Sequence, residues 1–386
     1  MPRPTDRPPD PLVAVARAFV HERPLRHAVH GITDLEWDAL VTRAEDERLA
    51  PLLYVALRDG AAPPAVLARL RAAWMAAERQ HLLAGCQLAE ILAALDAAGI
   101  AGVVLKGPAL ADEYYADPAL RPFTDLDLLV RRRERERAIE VLGALAYVHG
   151  SPGRSLGYEL DHAAAAYFVA ASDTARLPVD LHWDFICHPG GGRATELAAD
   201  EIWARATPAW KLAPEDLLVY LAAHFAIHHS LAGVLWQLDL ALVLRRHSAT
   251  LDWDAVAARA RRWGAGPAVY FALRSVGGEL GVVAPTEAMS RLHPGHLRAA
   301  LVERLQRGGA ERLSRLEYLV DVMLLDRLSH VITTVLSGLI PQPAWVRARY
   351  ERRSVVSAYL AHFRRVIGIV TRALFLLRPR RGNATP

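Results

Sequence analysis

Two aspartates, Asp125 and Asp127, stand two residues apart in the apolar run Thr-Asp-Leu-Asp-Leu-Leu-Val. The leucines and the valine predict a β-strand. Strands alternate faces at every residue, so both carboxylates project from one face. Their Cα atoms are expected about 6.5–7 Å apart, because a strand rises about 3.3 Å per residue. Like charges this close repel each other, and a divalent cation bound between the two carboxylates relieves this repulsion. The repulsion therefore favours binding of the cation. The pair therefore predicts a site for one hard cation, or for two.

A second acidic strand is predicted in the sequence Val-Asp-Leu-His-Trp-Asp that ends at Asp184. Alternation puts Asp180, His182 and Asp184 on one face and the apolar residues on the other. If this strand pairs beside the first, Asp125, Asp127 and Asp180 can surround two Mg²⁺ ions. Two ions about 3.5–4 Å apart can stabilise the attacking and leaving oxygens of a phosphoryl displacement. We predict these three acids as catalytic metal ligands, and a structural role for Asp184.

A turn that carries a lysine precedes the acids. Lys106 and Gly107 follow an apolar segment, Ile100–Leu105, that predicts a buried strand. Lys106 is one of only two lysines, the other being Lys211, and a compact ammonium suits phosphate. We predict that Lys106 and the Gly107 backbone contact a nucleotide. The alternative for Lys106 is a surface side chain whose ammonium stays in water.

Two further residues are candidates for nucleotide binding. Arg121 lies between the turn and the acids, where a guanidinium could neutralise phosphate charge; alternatively it pairs with Asp117 or Glu113. His182 is predicted to contact nucleotide or acceptor, or else to satisfy a buried hydrogen bond. For Asp239, in the helical part, we expect packing and a buried salt bridge.

Three histidines invite a zinc-site interpretation that the sequence disfavours. His224 and His228 would share a helix face, with His229 adjacent. Phe225 stands where a zinc protease has its general-base glutamate, and no third ligand is obvious. We therefore expect core or surface histidines.

The elements that must position these residues form three segments. Apolar residues at three- and four-residue spacing predict helices before and after a short α/β part that contains all the acidic motifs. The predicted organisation is a disordered N-terminus, a helical segment, the α/β core, a C-terminal helical domain and a disordered tail, at residues 1–10, 11–99, 100–205, 206–378 and 379–386.

Composition narrows the class of protein. Hydrophobic residues make up 52% and charged residues 23% of the 386 residues, which is typical of a globular chain. The net charge of +4 allows polyanionic partners without requiring them. Two cysteines offer no disulfide framework, and no segment has the pattern of a signal peptide or a membrane span. We expect a cytoplasmic protein without a membrane partner.

Five stretches together resemble a known family, the uncharacterised nucleotidyltransferases of the DNA polymerase beta-like superfamily. In order they are AGIAGVVLKGPALADEYYADPALRPFTDLDLLV, PVDLHWDF, KLAPEDLLVYLAAHF, QLDLAL and LDWD. The resemblance runs from about residue 35 to 350, and the order and spacing of the blocks agree as well.

The resemblance implies an α+β fold, mostly helical, with a small mixed-sheet nucleotidyltransferase core and flanking helical segments. Asp125 and Asp127 match the paired metal-binding acids, and Asp180 matches the third. Lys106-Gly107 occupies the turn where the superfamily has a Gly-Ser or Gly-Gly pair that holds the triphosphate. Pro108 contributes neither N–H nor hydroxyl, so Lys106 is expected to replace the serine.

We therefore predict a nucleotidyltransferase with two Mg²⁺ ions that moves an NMP from an NTP such as ATP to an acceptor hydroxyl and releases pyrophosphate. Four classes of acceptor stay open, namely a small molecule, a peptide, a protein and an RNA. The alternative, favoured by Pro108, is a catalytically weak nucleotide-binding module that acts through a protein or RNA partner. An RNA-binding helical protein that uses Arg131–Arg137 ranks last, because the interleaved aromatics of single-strand binders are missing.

Overall fold

The described part of the chain begins at the cap of the first helix. The computed structural model describes residues 10–29, 31–33, 36–60, 62–151, 155–173, 175–185, 199–206, 211–306, 317–326 and 328–377. The ends predicted to be disordered, residues 1–10 and 379–386, lie outside these ranges except for Asp10. The Asp10 carboxylate accepts hydrogen bonds from the backbone N–H groups of Leu12 and Val13 and so caps the helix that Pro11 begins.

Helices dominate both ends of the chain. The helices before the sheet are α1 (Pro11–Val20), α2 (Trp37–Asp46), α3 (Ala50–Leu57) and α4 (Pro64–Ala97). Those among the strands or shortly after them are α5 (Pro108–Tyr114), α6 (Arg135–Ala144), α7 (Leu156–His162) and α8 (Ala199–Arg205). The rest are α9 (Pro214–Ala223), α10 (Val234–His247), α11 (Trp253–Arg262), α12 (Gly266–Glu279), α13 (Thr286–Leu292), α14 (His296–Gln306), α15 (Glu317–Leu324), α16 (Leu328–Leu339), α17 (Pro343–Arg349) and α18 (Val355–Leu377). Among the described helices, none is both long and apolar enough to cross a bilayer.

One small mixed sheet forms the centre of the α/β part. Its strands are β1 (Val103–Val104), β2 (Leu126–Leu129), β3 (Tyr147–His149), β4 (Ala165–Ala170) and β5 (Val179–His182). Their spatial order is β1-β2-β5-β4-β3. The β2–β5 pair is parallel and the other pairs are antiparallel. A small mixed sheet flanked by helices confirms the α+β fold predicted from the sequence.

The sheet has an apolar layer on each side. Leu128 and Leu181 point into a cluster with Ile91 of α4 and residues of α6. Leu129, whose side chain alternates to the other face, belongs to a larger cluster that contains helices from both flanking segments, for example Leu218 of α9. The site described below therefore lies between the sheet and the C-terminal helices. The domain boundaries 11–99, 100–205 and 206–378 stay a prediction.

Candidate functional site

The acidic residues meet where β2 pairs with β5. Asp127 lies directly opposite Asp180 in the parallel ladder. Residues opposed in register project from the same face of a sheet, so the pairing brings together two carboxylates that are far apart in the chain. His182, two residues further along β5, completes a cluster. One possible ligand atom from each of the three residues lies within 4.8 Å of the others. The arrangement can hold a metal ion.

Two cations neutralise these acids. Lys106 Nζ lies 3.0 Å from Asp127 Oδ1, and His182 Nε2 lies 3.2 Å from that oxygen and 3.1 Å from Asp180 Oδ2. Burial raises the pKa of Asp127, but Lys106 and His182 outweigh burial and hold this pKa below its ordinary range. Burial also opposes protonation of His182, yet Asp180 and Asp127 raise the pKa of the imidazole to about 10. An ionised Asp127 is therefore held between two cations.

The turn at Lys106 and Gly107 is positioned by β1 and α5. The backbone N–H of Leu105 donates to the carbonyl oxygen of Asp127 at 3.0 Å, which joins the end of β1 to β2. Gly107 has φ 61° and ψ −118°, a conformation that residues with a Cβ rarely adopt. Pro108 begins α5, where a missing N–H costs nothing. The turn directs Lys106 inward, and this residue is only 9% exposed. The surface alternative for this lysine is therefore wrong.

Asp125 lies beside the cluster rather than in it. It immediately precedes β2 and is partly buried. Burial and the charge of Asp127 raise the pKa of Asp125, and Lys106 offsets part of this rise. In the described residues, His182 occupies the third position of the cluster, which the sequence analysis assigned to Asp125. The assignment of Asp125 as a metal ligand stays a prediction.

Arg121 lies behind the site in a buried ion pair. Its guanidinium donates two hydrogen bonds to the carboxylate of Asp239 on α10, at 3.0 and 2.7 Å. The Tyr115 hydroxyl donates to the same carboxylate at 2.7 Å. The partner is thus Asp239, as expected for that acid, and neither Asp117 nor Glu113. Arg121 is 2% exposed, and its predicted contact with nucleotide stays a prediction.

A layer of rings adjoins Lys106, and sequence reasoning did not place it there. His224 begins a π-helical turn after α9, and its Nε2 lies 3.4 Å from Lys106 Nζ. His229 Nε2 lies 3.1 Å from His224 Nε2, and the His229 ring stacks on Trp236 at 4.1 Å with an interplanar angle of 12°. Burial and the charge of Lys106 lower the pKa of His224, so this imidazole is neutral. We call His224, His229 and Trp236 the ring layer. The sequence feature that indicates this layer is His224, the histidine at the end of the apolar run of α9.

The zinc interpretation of these histidines finds no support in the described residues. The three side chains at His224, His228 and His229 do not form a group with metal-ligand spacing there. His224 is buried, as expected for a core histidine. The ring layer therefore meets Lys106 through the contact of the neutral His224 imidazole.

Tyr220 is a second residue that sequence reasoning missed. Its side chain is fully buried, and its hydroxyl has no hydrogen-bond partner in the described structure. Burial, followed by the charges of Asp127 and Asp180, raises the pKa of this phenol well above its ordinary value. The centroid of its ring lies 5.8 Å from that of His224, which contacts Lys106. An unpaired buried polar group costs about 1–3 kcal/mol. The Nδ1 of His182 is likewise buried and unpaired. Both atoms are available to a bound group.

Comparison with known proteins agrees with this geometry. The family described as "Uncharacterised nucleotidyltransferase" matches residues 33–277, which include the acids, the Lys106 turn and the ring layer. Neither the curated proteins nor the solved structures contain a significant match. The family match covers more than half of the chain and confirms the resemblance drawn from the sequence. The chain belongs to this nucleotidyltransferase family.

Proposed function

We propose that the protein is a Mg²⁺-dependent enzyme that transfers an NMP from an NTP to an acceptor hydroxyl. The observation that carries the proposal is the in-register pair Asp127 and Asp180 on one sheet face, beside a buried lysine, in a chain of a nucleotidyltransferase family. Family membership supports nucleotidyl transfer in general. Mg²⁺, the hydroxyl acceptor and pyrophosphate release are the parts that the experiment below must establish.

The proposed reaction is a displacement at the α-phosphorus. The acceptor hydroxyl oxygen forms a bond to the α-phosphorus, and the bond from that phosphorus to the bridging oxygen of the β-phosphate breaks. Pyrophosphate leaves with the electron pair of the broken bond. The hydroxyl proton passes to a base, for which Asp180 is suited because its side chain is 28% exposed, against 1% for Asp127.

The donor set near β2 and β5 fits a hard divalent cation. Asp127 and Asp180 would supply carboxylate oxygens, the ligands that Mg²⁺ prefers, and the unpaired Tyr220 hydroxyl is a sign that a bound group belongs here. When bound, Mg²⁺ neutralises triphosphate charge and stabilises the attacking and leaving oxygens. Asp127 Oδ1 already contacts Lys106 and His182. Binding of a cation therefore competes with these two positive groups.

The remaining predicted residues have proposed roles that match their positions. Asp125, beside the cluster, would serve as a further carboxylate for a second ion. Lys106, the Gly107 backbone N–H and His182 would face the triphosphate. Arg121 is buried and paired, so we assign its contribution to holding α10 against the core rather than to direct phosphate contact.

Label transfer tests the proposal. The purified protein is incubated with Mg²⁺, a cell extract and each NTP labelled at the α-phosphate, with γ-labelled NTP in parallel. We expect the α-label to join an acceptor that mass spectrometry then identifies, and the γ-label to appear only in pyrophosphate. Removal of Mg²⁺ with EDTA should stop the transfer.

An exposed control variant makes the test specific. The double variant Asp125→Asn with Asp127→Asn should lose transfer, whereas Glu140→Gln, on the exposed side of α6, should keep it. Full activity in the double variant would contradict the proposed mechanism. So would movement of the γ-label to the acceptor, since that product requires attack at another phosphorus.

The second candidate is a nucleotide-binding module with little or no catalytic activity, acting through a protein or RNA partner. Pro108 favours it, because a proline at this position of the turn offers neither an N–H donor nor a hydroxyl to a triphosphate. Calorimetry separates the two candidates. Tight NTP binding without turnover across a broad acceptor screen would favour the module.

A further inference from the structure

Arg48 adopts a backbone conformation that is costly for a residue with a side chain. It follows α2 with φ 57°, in the left-handed region. Its backbone N–H donates to the carbonyl oxygen of Glu45 at 3.0 Å, and the N–H of Leu49 donates to that of Ala44 at 2.7 Å, which closes the helix end. Glycine is the usual residue at such a position, and a left-handed non-glycine residue costs about 1–2 kcal/mol. An arginine in so unfavourable a backbone conformation indicates that its side chain has a function.

The Arg48 side chain extends to the ring layer. Its guanidinium carbon lies 5.6 Å from the centroid of Trp236. Trp236 stacks on His229, and His229 contacts His224, which in turn contacts Lys106. A continuous series of side chains thus connects Arg48 with the lysine of the acid cluster.

Both sides of the Arg48–Trp236 contact are held in place. The carboxylate of Glu47 accepts a hydrogen bond from the N–H of Val234, the first residue of α10, at 3.1 Å. Gly233 has φ 102°, and a Cβ built on it would lie 2.8 Å from Trp236 Cδ1, so only glycine fits. The turn after α2 and the start of α10 are therefore attached to each other beside the guanidinium.

In the part of the chain that the structure describes, Arg48 has no acidic partner, whereas Lys106 and Arg121 each have one. Lys106 pairs with Asp127, and Arg121 pairs with Asp239. Within the described residues, the side chain of Arg48 has neither an ion pair nor a hydrogen bond. The contacts from Trp236 through His229 and His224 to Lys106 connect the guanidinium with the acid cluster. It is therefore a positive group on the ring-layer side of the cluster, with its donors available.

We propose that Arg48 binds the β- and γ-phosphates of the NTP, the part that leaves as pyrophosphate, on the ring-layer side of the acid cluster. A planar guanidinium binds phosphate through two parallel hydrogen bonds, and contact with an indole ring orients it before the ligand arrives. This inference rests on the proposed function, and it supplies the phosphate donor that Pro108 does not.

Binding measurements on three variants test the inference. Arg48→Gln removes the positive charge. Arg48→Lys keeps the charge but loses the planar guanidinium that can form two parallel hydrogen bonds. Arg71→Gln removes an exposed positive charge from α4 and serves as the control. Arg48→Gln should weaken binding of inorganic tripolyphosphate and raise KM for NTP by about 10- to 100-fold, the usual effect of losing hydrogen bonds to a charged group. Arg48→Lys should recover part of this loss. Nucleoside binding and the Arg71→Gln variant should be unaffected.

A fourth variant separates ligand binding from a structural role. Arg48→Gly relieves the left-handed backbone, so we expect an unfolding midpoint that is unchanged or higher, together with the same loss of tripolyphosphate binding. A lower midpoint with unchanged binding would overturn the inference, because the arginine would then serve the fold alone.

The outcomes distinguish the two proposals from each other. If wild type transfers NMP but Arg48→Gln keeps its KM, the role of Arg48 is wrong and the proposed function stands. If no NTP is transferred by wild type, but tripolyphosphate binds and this binding needs Arg48, the anion site stands and the transferase proposal fails. Absence of tripolyphosphate binding to wild type would contradict the role of Arg48 directly.

Discussion

Asp127 is a buried carboxylate shared by two cations, and this arrangement determines what each nearby residue can do. Lys106 and His182 together supply about the charge that a divalent ion would bring. The acids are therefore tolerated in the folded protein before any ligand binds, although removal of one partner from such a group is expensive. Asp180 is more exposed, and among the described residues its ion-pair partner is His182. At the scale of the residue, we therefore propose that Asp127 supports folding and binding and that Asp180 takes part in the chemistry.

The Asp180→Asn variant tests this division. We expect transfer to fall by about 100- to 10,000-fold, the usual contribution of a general base, with little change in the free energy of unfolding because the side chain is partly exposed. Steady-state transfer rates and thermal unfolding are the measurements. The control is Asp184→Asn, whose amide oxygen can still accept the hydrogen bond from the Phe185 N–H. Equal loss of transfer in both variants would contradict a special role for Asp180.

The turn between β1 and α5 is the element that delivers Lys106 to the acids. Its shape depends on Gly107, because the positive φ there is unfavourable for any other residue. The nearest atoms to a Cβ built on Gly107 lie at 3.6 Å, an ordinary contact. The need for glycine thus comes from the backbone and not from crowding.

Gly107→Ala should therefore be costly without a steric clash. We expect a loss of about 1–3 kcal/mol in the free energy of unfolding, the usual cost of a disfavoured backbone conformation, and weaker transfer as the turn moves Lys106. Denaturant unfolding measures the first effect. Gly85→Ala, inside α4 with nothing within 4 Å of its Cβ, should instead stabilise the protein by up to about 1 kcal/mol. Matching results for the two variants would show that the turn conformation is not the cause.

The π-helical turn and the residues after it make stability sensitive to acid. Burial, followed by the charges of His228 and Lys106, lowers the pKa of His229 to about 3. The unfolded chain then binds a proton more readily than the folded one. The stability that the neutral imidazole contributes is complete above pH ~6.5, the ordinary histidine pKa, and is lost as the pH falls from there toward the folded value.

We accordingly expect the unfolding midpoint to fall between pH 7 and pH 5, and His229→Gln to make this dependence shallower. One histidine with so low a pKa accounts for about 1–2 kcal/mol between pH 6.5 and pH 5. Thermal unfolding at a series of pH values measures it. His296→Gln, on the exposed surface of α14, is the control. A slope that His229→Gln leaves unchanged would assign the acid sensitivity to other groups.

The whole molecule is held together across segments that lie far apart in the chain. Its larger apolar cluster contains residues from the N-terminal helices, the sheet and the C-terminal helices. The buried pair of Arg121 and Asp239 joins the α/β part to α10, with Tyr115 as a third member. The N-terminal and C-terminal helices thus share one core, and the site lies where they close over the sheet.

Variants of the buried pair test both its structural role and the predicted nucleotide contact of Arg121. Asp239→Asn should cost about 3–5 kcal/mol, because it leaves Arg121 buried without a counter-charge. The apolar double variant Arg121→Met with Asp239→Leu should recover much of that loss in thermal unfolding. If KM for NTP is then normal, Arg121 acts only as support. A raised KM in a stable double variant would favour direct contact with nucleotide.

The sequence was most informative about local features. Alternation along one strand predicted that Asp125 and Asp127 share a face, and the apolar runs predicted the strands that became β2 and β5. Each of these predictions depends on a few consecutive residues, so it can be made without knowledge of the rest of the fold. The turn at Lys106 was also recognisable, because glycine and proline mark it. β3, a strand of three residues, was not predicted, since so short a strand has no clear period.

By itself, the sequence determined the α+β class, the acidic strands and the lysine turn, since each depends on the pattern of neighbouring residues. Only the tertiary structure decided which side chains meet. Helix packing makes Asp239 the partner of Arg121. It also places His224 in contact with Lys106. In the same way it places the Arg48 guanidinium over the ring of Trp236. These contacts join residues more than a hundred positions apart. They depend on how whole helices dock through nondirectional apolar burial, which no local pattern records.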